Sequence, residues 1–182
     1  MKVVILKEEG YREALLGLSL SYKLKDWRVA EPVANKLYNK HGGHNKFLES
    51  IQVWLDITAP RYWWQEADTY RVGSTKQSES TMHTMMKNPL TQENFENPIP
   101  DEILNYLEDL RKEKKFRELK NVLPEGYLQR RIWNLNYMVI RNIVMQRRNH
   151  RLPEWRLFCE VVTTKLEHKE FLQDLAYDEK GD

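Results

Sequence analysis

Asn136 to Arg147 reads NYMVIRNIVMQR, and its apolar residues recur at the spacing of a helix that faces a core. Asn136 and Arg147 are eleven residues apart, about 1,100° of helix rotation and roughly 20° past three full turns, so a continuous helix places them on one face with Ile140 and Ile143. That face is apolar with a polar group at each end. A guanidinium is rarely buried without a partner, so Arg147 requires a carboxylate from the protein or a ligand that is an anion or a carbonyl. A second stretch, DTYRVGSTKQSESTMH from Asp68 to His83, offers a dense set of side-chain donors and acceptors. Its composition suits either a ligand-binding segment or an exposed polar loop.

Around these two stretches the chain has the make-up of a globular protein. At 182 residues it is long enough for one domain with its own core, and a single domain over 1–182 is the expectation. Six Trp, nine Tyr and five Phe supply large apolar groups, while 31% charged residues with only seven Gly and seven Pro argue against disorder. With 29 basic against 27 acidic residues the formal net charge is +2, which gives no polyanion-binding signal from the total alone. Cys159 is the lone cysteine, so no internal disulfide forms, and a reducing cytoplasmic address is expected. No basic segment leads into an apolar one near Met1, and no apolar run approaches the roughly 20 residues of a membrane helix, so neither secretion nor a membrane span is expected.

The apolar run VVIL within Met1–Lys7 predicts a short strand, followed by a helix through Leu15, Leu16 and Leu18. A second helix is expected over Val29–His41, stopped by Gly42-Gly43. Ile51, Val53, Leu55 and Ile57 alternate with Gln52, Trp54, Asp56 and Thr58, the pattern of a half-buried strand. Pro60 then opens a helix carrying Tyr62, Trp63, Trp64 and Ala67. Lys87–Pro100 reads as a surface loop, and Asp101 as the cap of a helix from Glu102 to about Lys120. Pro124 punctuates before the Asn136–Arg147 helix, and Leu152–Leu166 and Lys169–Ala176 finish the chain as helices.

Several groupings invite a functional reading and fall short of one. The basic run RKEKKFRELK, Arg111–Lys120, has interleaved acids and a buried side supplied by Phe116 and Leu119, which describes a solvated helix face. QRR around Arg130 and QRRNHR around Arg147 make a stronger basic signal, yet no nucleic-acid motif accompanies them, and a nucleic-acid partner is not expected. His41 and His44 at i and i+3 lack a third ligand, so no metal site is assigned. Ser74, Ser78 and Ser80 sit in no G-x-S-x-G elbow and serve better as hydrogen-bonding groups than as nucleophiles.

Taken together, the two polar stretches resemble the flavin-dependent thymidylate synthase family, whose signature runs R-H-R-x-x-S-x-N-E-x-S-x-R-Y. The resemblance covers most of the chain. Ser21-Tyr22 is similar to the family's early S-[FY], Gly43-His44 to its H-G-H turn, Glu49 to the acid after that turn, and Ala59-Pro60 to the A-P before the signature helix. Later, LPEGYLQRRIWNLN is similar to L-P-x-x-x-x-T-x-x-x-W-x-x-N, and Asn136–Arg147 to N-x-x-S-L-x-[NH]-F-x-x-x-R. The resemblance implies an α+β fold, a small antiparallel or mixed sheet packed with long helices, assembled as a homotetramer with FAD beside a pyrimidine nucleotide. It implies methylene-tetrahydrofolate as carbon donor and NADPH as reductant. It places His44, Arg71, Ser74, Asn136 and Asn142 on the cofactor, and Gln77, Glu79, Ser80, Lys120 and Arg147 on the nucleotide, with Arg147 polarising the pyrimidine as the catalytic group.

The chain also departs from the signature. R-H-R becomes Thr69-Tyr70-Arg71, N-E becomes Lys76-Gln77 unless a one-residue insertion lets Glu79 and Ser80 take the acid and serine positions, and the arginine near the signature's end becomes Thr81 or Met82. Each lost charge-assisted hydrogen bond to a phosphate forfeits about 1.5–3 kcal/mol. Three functions therefore stand: one-carbon transfer to C5 of a uracil deoxynucleotide, a homologue that binds a nucleotide or protein partner without turnover, and nucleic-acid binding through QRRNHR.

Overall fold

The computed structural model describes residues 1–23, 26–40 and 42–173. Four strands form one sheet in the order β1-β2-β4-β3, with β1 at Lys2–Glu9, β2 at Gln52–Pro60, β3 at Ser74–Ser78 and β4 at Leu128–Asn136. Numbering runs in opposite senses on neighbouring strands. The Asn134 side chain donates to Val53 O and the Tyr137 amide to Ile51 O, while the Asn136 amide donates to Gly73 O and the Glu79 amide to Arg130 O, so β4 runs antiparallel to β2 and to β3. The expected α+β class, a small sheet packed with helices, is the observed one.

By contact density the chain forms two compact units, the first comprising 1–2, 56–70 and 76–132, the second 3–55, 71–75 and 133 onward. The first unit holds α3 (Arg61–Ala67), α4 (Thr81–Lys87), α5 (Asp101–Lys112) and α6 (Phe116–Val122). Met85, Leu90, Phe95, Leu107, Leu110, Leu119, Leu123 and Tyr127 make its buried cluster. The second unit holds α1 (Tyr11–Leu20), α2 (Glu31–Leu37), α7 (Tyr137–Arg147) and α8 (Pro153–Lys165). Phe171, from a short 3-10 turn, sits among the rings of Tyr11, Tyr38, Phe47 and Tyr137. Trp133 and Trp155 both pack on Phe158, and each such buried ring contributes about 1.5–3 kcal/mol.

β2 forms as the alternation predicts, with Val53, Leu55 and Ile57 fully buried. Other elements differ from expectation. The region before α2 is a 3-10 turn, Trp27–Ala30, and α2 ends at Leu37, while His41 lies outside the described residues. The single helix expected over Glu102–Lys120 is two helices. Lys114 adopts φ 59°, and the Lys115 amide donates to Leu110 O at 2.9 Å, which is a Schellman ending with lysine where glycine is usual. The final helix is a 3-10 turn, Lys169–Leu172, and residues 174–176 lie outside the described ones.

Glu108 shows what holds α5 in place. Its carboxylate accepts from Arg111 Nε and Nη2 at 2.7 and 2.6 Å and from the Leu90 amide at 3.0 Å. The Arg111 fork holds its pKa down at about 2, against burial, which pushes the other way. A carboxyl whose pKa is lower folded than unfolded stabilises the fold above the unfolded value and loses that contribution as pH falls through the folded one. Glu108→Gln therefore costs about 1 kcal/mol at pH 7, the size of a solvent-screened pair. In urea titrations the gap to the parent narrows as pH falls from about 4.5 toward 2. A gap independent of pH would contradict this account.

Candidate functional site

β4 delivers the chain to α7 through Asn136, which is extended rather than helical and 7% exposed. Its Oδ1 accepts from the Val139 amide at 3.0 Å, capping the helix, so the carboxamide is spent partly on satisfying an orphan backbone donor. The Asn136 amide donates to Gly73 O at 3.3 Å and the Tyr137 amide to Ile51 O at 3.0 Å. Gly73 has φ +69°, and a Cβ there would stand 2.8 Å from Asn136 Nδ2 and 3.0 Å from Val139 Cγ2. Glycine thus lets the Arg71–Thr75 segment lie against the start of α7. Three of the expected cofactor positions meet here: Asn136 itself, Ser74, half-buried, and Arg71, exposed.

A cleft of about 680 Å³ opens beside α1 in the same unit. Ser21, Tyr22, Gly43, His44 and Glu49 line it, together with Glu13, Leu37 and Lys46. These five residues come from two separate stretches of sequence, 21–22 and 43–49, and the fold brings them to one cavity. The turn carrying His44 has left-handed backbone at Gly42 and Gly43 and is fixed from beneath by Asn45, whose Nδ2 donates to Tyr38 O at 3.4 Å and lies 3.9 Å from Met138 Sδ. His44 itself is exposed at the rim.

Along α7 the polar side chains divide differently from the expected face. Arg147 is half-buried at the last turn, with its guanidinium 5.1 Å from the centre of the Trp155 ring, so an aromatic face is one of its contacts. Asn142 is exposed in mid-helix. The buried guanidinium is that of Arg141, 2% exposed, which donates through Nη2 to Asn39 Oδ1 at 2.5 Å. Among the described residues its Nε has no hydrogen-bond partner, and burial pushes its pKa down. Three arginines stand within eight residues, and sequence periodicity singled out Arg147 because it tracks Asn136; only packing reveals Arg141.

The remaining expected residues belong to the first unit. Gln77 is exposed on β3. Glu79 accepts from the Arg130 amide at 3.1 Å, and Ser80 stands at the N-cap of α4 with its carbonyl accepting from the Thr84 hydroxyl at 3.1 Å. Lys120 is exposed on α6 with Nζ 5.9 Å from the Phe116 ring. Beside them is a cluster that sequence reading missed. Arg131 Nη1 donates to both Asp68 oxygens at 2.9 and 3.0 Å, and its guanidinium stacks 4.5 Å over Trp64. Lys76 Nζ donates to Tyr70 O at 3.0 Å and lies 3.7 Å from Asp68, while burial pushes its pKa down. Arg130 forms a fork to Asp56. The QRR segment is thus committed to Asp56 and Asp68 within the protein.

Cys159 is 4% exposed, and burial raises its thiol to about 12, so it carries no thiolate at neutral pH. Among the described residues no group of three or more His, Cys, Asp or Glu is placed to hold a metal ion. Among them, too, no helix is long and apolar enough to cross a membrane.

No protein-family model matches the chain, and no curated protein matches it. Solved structures match its fold. A flavin-dependent thymidylate synthase from Helicobacter pylori in complex with FAD and dUMP gives a TM-score of 0.75 at 18% identity, covering 96% of this chain and 99% of that one, and a second structure of that enzyme with the same ligands gives 0.74. A UMP/dUMP methylase from Streptomyces cacaoi bound with 5-Br dUMP gives 0.61 at 12% identity, covering 87% of this chain and 86% of that one. The chain therefore shares its fold, nearly end to end, with proteins solved with uracil nucleotides bound.

Proposed function

We propose that the protein is a divergent flavin-dependent thymidylate synthase-like enzyme that transfers a one-carbon group to C5 of a uracil deoxynucleotide, dUMP to dTMP or a related modified pyrimidine. The observation that carries the reading is the cleft that gathers Ser21, Tyr22, Gly43, His44 and Glu49, on a fold shared with enzymes solved with FAD and dUMP. Its lining mixes aromatic and apolar surface with polar and charged groups, and His44 is the one residue of those assigned to the flavin that lines it. His44, Arg71, Ser74, Asn136 and Asn142 would hold FAD, and Gln77, Glu79, Ser80 and Lys120 the nucleotide. Bound flavin supplies the hydride, with NADPH and methylene-tetrahydrofolate as co-substrates. Arg147 would stabilise charge gathering on the pyrimidine, a planar guanidinium being matched to N3 and O2 of the ring. Cys159, protonated and buried, has no part in this chemistry. A cytoplasmic homotetramer built from one domain per chain completes the proposal.

The altered signature favours a second reading, a homologue that binds a nucleotide or protein partner without turnover. Lys76, at the family's asparagine-glutamate position, is tied to Tyr70 O and Asp68. With several cations of the phosphate clamp replaced, dUMP binds weakly, and a calorimetric titration giving micromolar or tighter affinity would contradict that. Screening pyrimidine mono-, di- and triphosphates anaerobically, with methylene-tetrahydrofolate present, for reoxidation of the reduced flavin separates the two readings: one nucleotide restores the oxidised spectrum if the protein is an enzyme, and none does if it only binds.

A further inference from the structure

The geometry points to Gly17 as the position that lets a planar ring lie directly against the backbone of α1 in the cleft beside His44, and this rests on the flavin reading above. Gly17 stands in mid-helix, where glycine is less stable than alanine because it gives up more backbone freedom on folding. Among the described residues it is the one glycine inside a helix, and none of them requires a glycine there. Its backbone is not left-handed, unlike that of Gly10, Gly42, Gly43 and Gly73. Outside its own stretch of helix no heavy atom lies within 4 Å of where a Cβ would stand.

Gly17 lines the cleft. Glu13 and Ala14, one turn before it, and Ser21, one turn after, line the same wall, so Gly17 occupies the middle of the α1 face turned to the cavity. A glycine that weakens its helix without a packing reason, at the centre of a cavity wall, marks a close approach of the backbone by something outside the chain. The surroundings select the ring of a ligand rather than its phosphate. Leu18, Leu37 and Phe47 supply apolar surface, while Glu13 and Glu49 against Lys46 give the wall no excess of positive charge for an anion. An uncharged planar system, the isoalloxazine of a flavin, suits such a floor.

The test pairs Gly17→Ala with Gly17→Leu, reading thermal unfolding of the free protein and fluorescence titrations of FAD and of riboflavin, which carries the ring without phosphates or adenine. Gly17→Ala is expected to raise the melting temperature by roughly 2–4 °C, since alanine favours the helix and its methyl group meets open space. Gly17→Leu is expected to melt no lower than the parent and to weaken FAD and riboflavin alike by about ten-fold or more, the cost of overfilling a packed contact. Gly17→Ala weakens both in the same sense, and it decides the matter if Gly17→Leu melts early. FAD affinity within two-fold of the parent in the variants overturns the inference, and so does a loss confined to FAD, which would put the ring elsewhere. A parent that takes up neither flavin sinks the flavin reading, and calorimetric titration of dUMP then judges Gly17 separately. Binding of dUMP that is lost in Gly17→Leu keeps Gly17 as the point of ligand approach, whereas dUMP binding that is unaltered or absent from the parent overturns it.

Discussion

Arg147→Ala is expected to keep flavin bound and to lose turnover by at least about 10²-fold, the effect of removing one charged group aimed at developing charge in a dry site. The guanidinium stands over Trp155 at the last turn of α7, about 16 Å along the helix from Asn136, so its removal leaves the helix cap and the Gly73 contact untouched. Loss of its contact with Trp155 alone costs about 0.5–1 kcal/mol of stability. Single-turnover kinetics on the flavin-loaded variant, with unfolding followed in parallel, separate the two effects. Unchanged rates would remove Arg147 from the chemistry and leave it as a packing residue.

The second large effect belongs to Gly73. Gly73→Val is expected to destabilise the protein by roughly 2–4 kcal/mol: a branched side chain in left-handed backbone costs about 1–2 kcal/mol, and displacing Asn136 from its cap costs about 1–2 more. The new Cβ would meet Asn136 Nδ2 at 2.8 Å and Val139 Cγ2 at 3.0 Å, both in a well-packed helix start that has little freedom to yield. Flavin affinity falls with it, since Arg71 and Ser74 flank the displaced glycine. Denaturant midpoints compared with the parent measure the first effect and flavin titration the second. A variant within 0.5 kcal/mol of the parent would mean that the segment can move away from α7 at little cost.

How far these sites could be read from sequence depended on whether packing or local pattern fixed each element. β2 was legible because Val53, Leu55 and Ile57 alternate with half-exposed residues. β3 was not, since an edge strand of Ser, Thr, Lys and Gln has no apolar face, and its place is set by pairing with β4. β4 was hidden by Arg130 and Arg131, which look like a basic patch until Asp56 and Asp68 are brought to them from afar in the sequence. α7 was legible as a helix, but Asn136 lies at its cap, and Arg141, not Arg147, is the fully buried cation. The cleft around His44 was foreshadowed only as short separate matches; that they share one cavity is a fact of folding.

Uptake of flavin by the purified protein tests the central claim most directly. Absorbance of the protein as purified, followed by titration with FAD, is expected to show the flavin bands either at once or on addition, saturating at one FAD per chain. A colourless protein that leaves added FAD with its free-solution spectrum and fluorescence would contradict the account.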